Sequence, residues 1–398
     1  MNTYRENITV FHYTRWYPNR YDPMFGLFIK RHAEAVAIFA ETGVIYAHPV
    51  TDGKLKKTYE LDYRFEKGVH TARVYYLTFK PGKSVVKQTI NIYRYFKANY
   101  LGRRLLVEKL GKPDIHHVHI LTRPAVIAFF YHIILHIPYV VSEHWSRYLR
   151  TGSFTGNLRK SVTRMVVKSA SAVTTVTKNL ANAMQENHRL TNRAYSVLAN
   201  VVDPIFYRDY PKRLPNNETT FVHVSCFEDQ SKNISGLLRV ARLLNDNGHR
   251  FKLILIGEGM DFDSMVHYAT DLGLKDNQVV FTGLLQGKAL VKKMLEADAL
   301  VVSSHYENLP VVIIEGMALG LPVISTRVGG IDEIVDTSNG CLVTPGDEQQ
   351  LAQAMAQFIE GSLAFNPELI KDKSRATYSS EAVGEKIAAL YQNILQNR

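Results

Sequence analysis

Two carboxylates, Glu307 and Glu315, stand eight residues apart in Ser303-Ser304-His305-Tyr306-Glu307-Asn308-Leu309-Pro310-Val311-Val312-Ile313-Ile314-Glu315-Gly316. Such a pair suits one of two chemistries: a general acid and base acting on one substrate, or two grips for hydroxyl groups at the ends of one ligand. The apolar run Ala297 to Val302 before them reads as a buried strand. Pro310 falls where a first helical residue is tolerated, because its missing N–H would be unpaired there anyway. Gly320 and Pro322 close the helix about three turns later. Glu307 then lies just outside the helix N-terminus and Glu315 inside it. Between them are the free backbone N–H groups of a helix start, a site for phosphate. A lone acidic residue near a helix start carries no such message, since the helix dipole favours it there. The pair in its strand–turn–helix setting fits a ligand with hydroxyls at both ends and phosphate in the middle, as in a nucleotide sugar.

Other residues invite chemistry less strongly. Ile115-His116-His117-Val118-His119 reads as a strand, which puts His117 and His119 on one face. Without nearby carboxylates or cysteines a metal site is not expected there; one histidine at the carboxyl end of the strand, over a cleft, is. Asp261-Phe262-Asp263 spells a metal-binding pattern but opens a predicted helix, where capping is the expected role. Cys226 and Cys341 make neither a disulfide framework nor a ligand cluster, which favours a reducing compartment.

The elements that must position these residues form two α/β series. The chain of 398 residues is long for one core and suggests two domains. The first series has strands at Ile8–His12, Val44–Ala47, Val74–Phe79, 115–119, Pro138–Glu143, Ala172–Val176 and Ser196–Ala199, with an amphipathic helix from Leu27. Residues 51–70 show no clear apolar period and read as a meander or exposed insertion. Asn200 to Asn217, with Pro204, Pro211 and Pro215, has the composition of a linker. The second series runs from Phe221 to Val343, and helices over Gln350–Ile359 and Glu381–Leu395 end it. Boundaries of 1–200 and 201–379 follow, with the last helix (about 380–398) packing back on the first domain. Two doubly wound Rossmann-like domains facing a central cleft are expected.

Charge is uneven. Residues 1–200 carry 30 Lys and Arg against 12 Asp and Glu, and the remainder 18 against 25, for a net charge of +11. A basic first half faces something anionic: a membrane surface, a phosphorylated acceptor or nucleic acid. Its most basic helix, Tyr93 to Leu110, carries Arg94, Lys97, Arg103, Arg104 and Lys109 and could lie at a lipid surface. Tyr93, Tyr95, Phe96 and Tyr100 within it are expected in the core. The apolar run Ala125 to Val141 falls short of a membrane span and reads as a buried helix followed by a strand. Arg5 and Glu6 interrupt any signal-peptide core.

Together the motifs resemble the retaining glycosyltransferases of family 4, which have the GT-B fold. The likeness covers nearly the whole chain and is strongest from Lys232 to Asp347. It rests on Glu307-x7-Glu315, Gly316-Met317-Ala318, Gly320-Leu321-Pro322-Val323-Ile324, Thr326, Gly329-Gly330, Glu333 and Gly340 to Asp347. It implies that Glu307 holds hydroxyls of the donor sugar, that the backbone of Asn308, Leu309, Pro310, Val311 and Val312 grips sugar and diphosphate, and that Glu315 binds the ribose. Lys232 would stabilise the leaving diphosphate, and His119 would sit near the reacting sugar. Gly26 would let the first loop approach the phosphate, while Gly257, Gly259 and Gly283 border the donor site. Relatives usually carry an Arg five residues before the lysine; here it is Phe227, with Arg15 or Arg20 as substitutes. The linker motif also departs, reading Ala199-Asn200-Val201-Val202-Asp203.

The expected activity is therefore transfer of a sugar, with retention, from a nucleoside diphosphate sugar to a saccharide or lipid-linked saccharide acceptor in cell-surface polysaccharide or glycan synthesis. Neither cofactor nor metal is expected. The expected partners are the nucleotide sugar, the acceptor and an anionic membrane surface, with no nucleic acid, in the cytoplasm or at the inner face of its membrane. An epimerase on the same fold, or a non-catalytic basic membrane- or nucleic-acid-binding protein, is the alternative.

Overall fold

The computed structural model describes residues 8–51, 55–80, 82–149, 154–211 and 218–397. Two compact units divide the chain: Met1–Val201 with Ser380–Arg398, and Val202–Ser379. Arg5, Glu6, Pro215 and Asn217, which entered the expectations above, lie outside the described residues.

The first unit contains β1 (Thr9–Thr14), α1 (Leu27–Val36), β2 (Glu41–Val50), β3 (Tyr59–Glu66), β4 (Val69–Leu77), α2 (Val85–Leu110), β5 (Ile115–His119), α3 (Arg123–Leu135), β6 (Tyr139–Glu143), α4 (Asn157–Ser169), β7 (Ala172–Thr175), α5 (Lys178–Glu186) and β8 (Tyr195–Val197). Its sheet runs β3-β4-β2-β1-β5-β6-β7-β8, parallel except for the β3–β4 hairpin. The meander expected over 51–70 is largely that hairpin. Its two-residue turn, Lys67-Gly68, has positive φ at both positions (50° and 77°), the turn that matches strand twist. Side chains alternate across the sheet. Val10, Ile115 and Val140 pack with Val383, Ile387 and Tyr391 of the last helix, while Gly43 lies under Leu106 of α2.

The second unit contains β9 (Thr219–Val224), α6 (Asp229–Lys232), α7 (Ile234–Asp246), β10 (Phe251–Ile256), α8 (Phe262–Asp271), β11 (Val279–Phe281), α9 (Gly287–Met294), β12 (Ala299–Val302), α10 (Val311–Ala318), β13 (Val323–Thr326), β14 (Gly340–Val343), α11 (Glu348–Ile359) and α12 (Pro367–Tyr378); α13 (Ser380–Gln396) returns to the first unit. Its sheet, β11-β10-β9-β12-β13-β14, is parallel throughout. Ile234, Leu237, Leu238, Ala241 and Leu244 recur at helical spacing on α7 and are buried with Met265, Leu351 and Met355 against Phe221, Leu253 and Val301. Both units are Rossmann-like.

Four expectations change. Ser84, whose hydroxyl accepts from the Lys87 N–H at 3.4 Å, starts α2 eight residues before Tyr93. On that helix only Tyr95 of the four aromatics is buried; Tyr93, Phe96 and Tyr100 are exposed. The run from Ala125 is α3 and β6, but α3 is buried on one side only, with Phe130, Ile133, Ile134 and Leu135 facing out. The stretch after Asn200 is not a free linker where it is described: Phe206 is buried, and the Tyr207 hydroxyl is 3.1 Å from Ser374 Oγ. Among the described residues no helix is long and apolar enough to cross a membrane.

Candidate functional site

In the second unit the strand order reverses at β9, which lies between β10 and β12. Open parallel sheets bind ligands outside the carboxyl ends of strands at such a reversal. The two loops that leave β9 and β12 there carry Lys232 and Glu307.

Lys232 ends the single turn α6. Asn233 follows with φ 54°, which breaks the helix and restarts it as α7. The buried Asn233 side chain donates to the Ser303 carbonyl at 3.3 Å, and the Ser303 hydroxyl is 3.0 Å from the Lys232 carbonyl and 3.1 Å from that of Asn233. Gly236 makes room for this asparagine, since a Cβ there would lie 2.4 Å from Asn233 Oδ1. Asp229 ties the two helices together by accepting from the Ser235 N–H and hydroxyl at 2.8 and 2.7 Å. The loop after β12 is thus sewn to the turn that carries Lys232.

Lys232 Nζ donates to Glu307 Oε1 at 2.6 Å, with the two side chains 16% and 11% exposed. Ser304 Oγ donates to the same oxygen at 2.9 Å. Gly329 and Gly330 close over the backbone of this turn. The Gly330 N–H donates to the Asn308 carbonyl at 2.8 Å, and a Cβ on Gly329 (φ 63°) would lie 2.2 Å from the Glu307 carbonyl oxygen. Pro310 is the N-cap (φ −69°, ψ 120°) and Val311 the first helical residue, so the helix starts one residue later than expected. A helix leaves its first N–H groups without intrahelical partners; here the Ile313 N–H turns back to the Pro310 carbonyl at 3.1 Å, and those of Val311 and Val312 come before it. Glu315 is buried on α10, and Asn308 and Leu309 are buried in the turn.

Gly257, Gly259 and Gly283 border the neighbouring strand ends. The Gly257 N–H donates to the Gly283 carbonyl at 3.0 Å. Cβ atoms at Gly257 and Gly259 would meet the Ser225 carbonyl oxygen at 1.8 Å and the Phe227 carbonyl oxygen at 2.5 Å. The phenyl ring of Phe227 is fully buried, 4.9 Å from Phe262 and 6.1 Å from Phe281. The position five residues before Lys232, where the resemblance implied a cation, is thus filled by a core aromatic.

The first unit has its own reversal, at β1 beside β5. Histidines fill it. His12 Nδ1 and His119 Nε2 share a hydrogen bond at 3.0 Å, and His119 Nδ1 lies 3.4 Å from His144 Nε2. His117 bonds to the Tyr391 hydroxyl at 2.5 Å and to Ser142 Oγ at 2.6 Å. Burial, then the neighbouring imidazoles, holds His117 and His119 well below the usual histidine range; burial and His32 lower His12 to about 3. His119 is fully buried, not open over a cleft as expected. Glu143, in the same layer, accepts from the N–H groups of Leu121, Trp145 and His144 at 2.8–3.0 Å, and burial pushes its carboxyl up to about 7. Gly26 caps α1 at φ 70°, with its Cα so near Trp16 that a Cβ would lie 2.6 Å from the Trp16 carbonyl carbon.

Residues 209–380 match the model of glycosyl transferases group 1, and residues 58–206 match that of glycosyltransferase family 4. The chain belongs to the family 4 glycosyltransferases. Among its relatives, the N-acetyl-alpha-D-glucosaminyl L-malate synthase of Bacillus anthracis is 26% identical over 71% of this chain and 74% of that protein. A putative teichuronic acid biosynthesis glycosyltransferase of Bacillus subtilis is 24% identical over 95% of this chain and 96% of that protein. Sucrose-phosphate synthase from Thermosynechococcus elongatus superposes with a TM-score of 0.74 at 18% identity, covering 98% of this chain and all of that one. HepE of Anabaena, solved with UDP, gives 0.67 at 17% identity over 97% of this chain and all of that one. The fold is GT-B.

For this glycosyltransferase, the sequence-expected residues fall into two groups. Lys232, Glu307, Asn308 to Val312, Glu315, Gly257, Gly259 and Gly283 all belong to the second unit, and Gly26 and His119 to the first. Of the proposed substitute cations, Arg20 is paired with Glu60 at 2.9 Å, and Arg15 bonds to Thr122 Oγ1 at 2.5 Å with its guanidinium 4.7 Å from the centre of the Trp145 ring. Asp261 stands at the N-cap of α8 but makes no side-chain cap bond; its carboxylate accepts from the Asp229 N–H at 2.7 Å and braces the Lys232 turn. His12, His117 and His119 have nitrogens close enough to share a metal ion. His117 already uses both of its nitrogens in hydrogen bonds, so a metal would have to break them. Asn233, Gly236, Ser303 and Ser304 were missed, although Lys-Asn-x-x-Gly, an αL-prone residue three before a glycine, was the available signal.

Proposed function

We propose that the chain is a retaining glycosyltransferase that moves a sugar from a nucleoside diphosphate to a hydroxyl of a saccharide or lipid-linked saccharide, in glycan synthesis. The observation that carries this is the 2.6 Å pair of Lys232 and Glu307 at the carboxyl ends of the central strands, beside the start of α10. Lys232 and Glu307 neutralise one another without ligand. A diphosphate draws the ammonium to itself, and sugar hydroxyls take its place at the carboxylate. The first N–H groups of α10 hold the diphosphate, and Glu315 holds the ribose.

In the transfer step the bond from C1 of the sugar to the β-phosphate oxygen breaks, and a bond from the acceptor oxygen to C1 forms on the same face. The acceptor proton passes to the departing phosphate. Lys232 stabilises the charge that develops on that phosphate, which is the largest single contribution a site of this kind makes. It fills the place a divalent cation takes in other transferases, so the reaction needs no metal. His119, enclosed by other imidazoles, acts as a positioning residue: its carbonyl accepts from the Arg15 N–H at 3.4 Å and so steadies the first loop. The UDP-bound HepE and the saccharide-transferring relatives support the substrate class.

Lys232→Ala and Glu307→Ala, each checked for folding, test the proposal with UDP- and GDP-sugars as donors. Unchanged transfer and unchanged donor hydrolysis in both variants would overturn it. Interconversion of the sugar without an acceptor would assign the site to an epimerase instead. A ligand at 100 times its Kd adds about 2.7 kcal/mol to stability, so thermal shifts identify the nucleobase.

A further inference from the structure

Helices α2, α3 and α4 form one layer on the first unit: α2 packs on β2 and β4, α3 on β1, β5 and β6, and α4 on α3. Their outward side chains are unusually apolar. Tyr93, Tyr100, Phe130, Ile133, Ile134 and Leu158 are between 48% and 80% exposed. Scattered exposed apolar residues need no explanation, but a run of them across three adjacent helices marks an interaction surface. Between α2 and α3 lies a groove of about 530 Å³ with Phe96, Tyr100, Val126 and Phe130 in its walls and Lys97 among them. The same three helices carry eleven Lys and Arg and one acidic residue, Glu108.

Charge decides the occupant. A second copy would bring an equally basic face against this one, since a two-fold interface matches a patch with itself. RNA would meet the lysines but leave Ile133, Ile134 and Leu158 without a partner. A bilayer of anionic lipid satisfies both features: headgroup phosphates pair with the cations, and aromatic and aliphatic side chains enter the boundary with the acyl chains. We propose that the α2–α3–α4 face docks on the surface of an anionic lipid bilayer. This does not rest on the transfer reaction, and it is read without any nucleotide.

Flotation of the full chain with vesicles of phosphatidylcholine alone, or rich in phosphatidylglycerol, tests it. Binding to the second kind only, weakened by salt, is expected. Ile133→Glu combined with Ile134→Glu, at exposed positions, should reduce partition at least ~10-fold with the circular dichroism spectrum unchanged. Each basic residue near the surface contributes about fivefold, so Arg104→Glu with Lys168→Glu should cost roughly 25-fold or more. Lys275→Glu with Lys292→Glu, on the second unit, should change nothing. Absence of binding to anionic vesicles, or equal binding by the Ile133/Ile134 variant, overturns the proposal. So does a dimer, or a complex with RNA, that the same variant abolishes.

Discussion

The two units carry polar groups where the sheet order reverses and use them in opposite ways, the second on loops beyond the carboxyl ends of its strands and the first within the strands β1 and β5 themselves. In the second unit a charged pair stands 16% and 11% exposed on loops built from serines and glycines. In the first, imidazoles bond to one another and to Tyr391 and Ser142 beneath the surface. A half-buried pair of opposite charges can exchange partners with an incoming ion. Buried rings that desolvation keeps neutral gain little from one, even where a nitrogen such as His12 Nε2 has no hydrogen-bond partner among the described residues. Topology offers a location; hydration decides whether it becomes a ligand site or a polar core.

The largest effect that would sharpen this contrast is acid lability. Burial lowers His12 and His116 to about 3 and His32 to about 4, below the 6.5 of an exposed histidine. The unfolded chain therefore binds protons that the folded chain refuses, and stability present above pH 6.5 is lost as pH falls from there towards 3. Each histidine removes about 1.4 kcal/mol per pH unit over that window. Glu143, raised to about 7, takes up a proton in the folded state and offsets one of them. The second unit buries one histidine, His223, among its described residues. Hydrogen exchange between pH 7 and 4 should show β5 opening well before β12; simultaneous opening would break the comparison.

Lys232→Ala should come next, lowering kcat by about 10²–10³, the loss seen when one donor to a developing anion is removed. Chelation of divalent metal should leave kcat unchanged, and dependence on metal would return that role to an ion. Gly329→Ala should destabilise the second unit by about 1–3 kcal/mol, because alanine disfavours φ 63° and its methyl would meet the Glu307 carbonyl; urea unfolding measures it. Tyr391→Phe, the smallest, leaves one buried nitrogen of His117 unpaired and should cost about 1–3 kcal/mol with donor affinity unaltered. A change in donor affinity would mean that the imidazole layer is more than a polar core.

The second unit was the more legible half. The helix expected over Gln350–Ile359 is α11, which starts two residues earlier, and the strand expected over Ala297 to Val302 is β12, which starts two residues later. Helices α4, α5 and α12 went unread: Arg159, Lys160 and Arg164 crowd the short apolar stripe of α4, and the nine residues of α5 offer only Leu180, Ala181, Ala183 and Met184 as a stripe. At the site, the Glu307–Glu315 spacing pointed to the turn and helix, whereas the bond from Lys232 to Glu307 spans 75 residues and no local pattern encodes it. The exposed aromatics of α2 could not be told from core by type, because a tyrosine packs equally well beneath a helix or on top of it.

The return of α13 to the first unit has a consequence for synthesis. Val383, Ile387 and Tyr391 complete a core whose other buried members, from Val10 to Val201, leave the ribosome more than 180 residues earlier. The second unit is one uninterrupted stretch and can fold as soon as it emerges. The first must wait, its His117 Nδ1 without the Tyr391 hydroxyl, until the last helix arrives. A nascent chain stalled before Ser380 should therefore protect its later half from protease and leave its earlier half open to a chaperone.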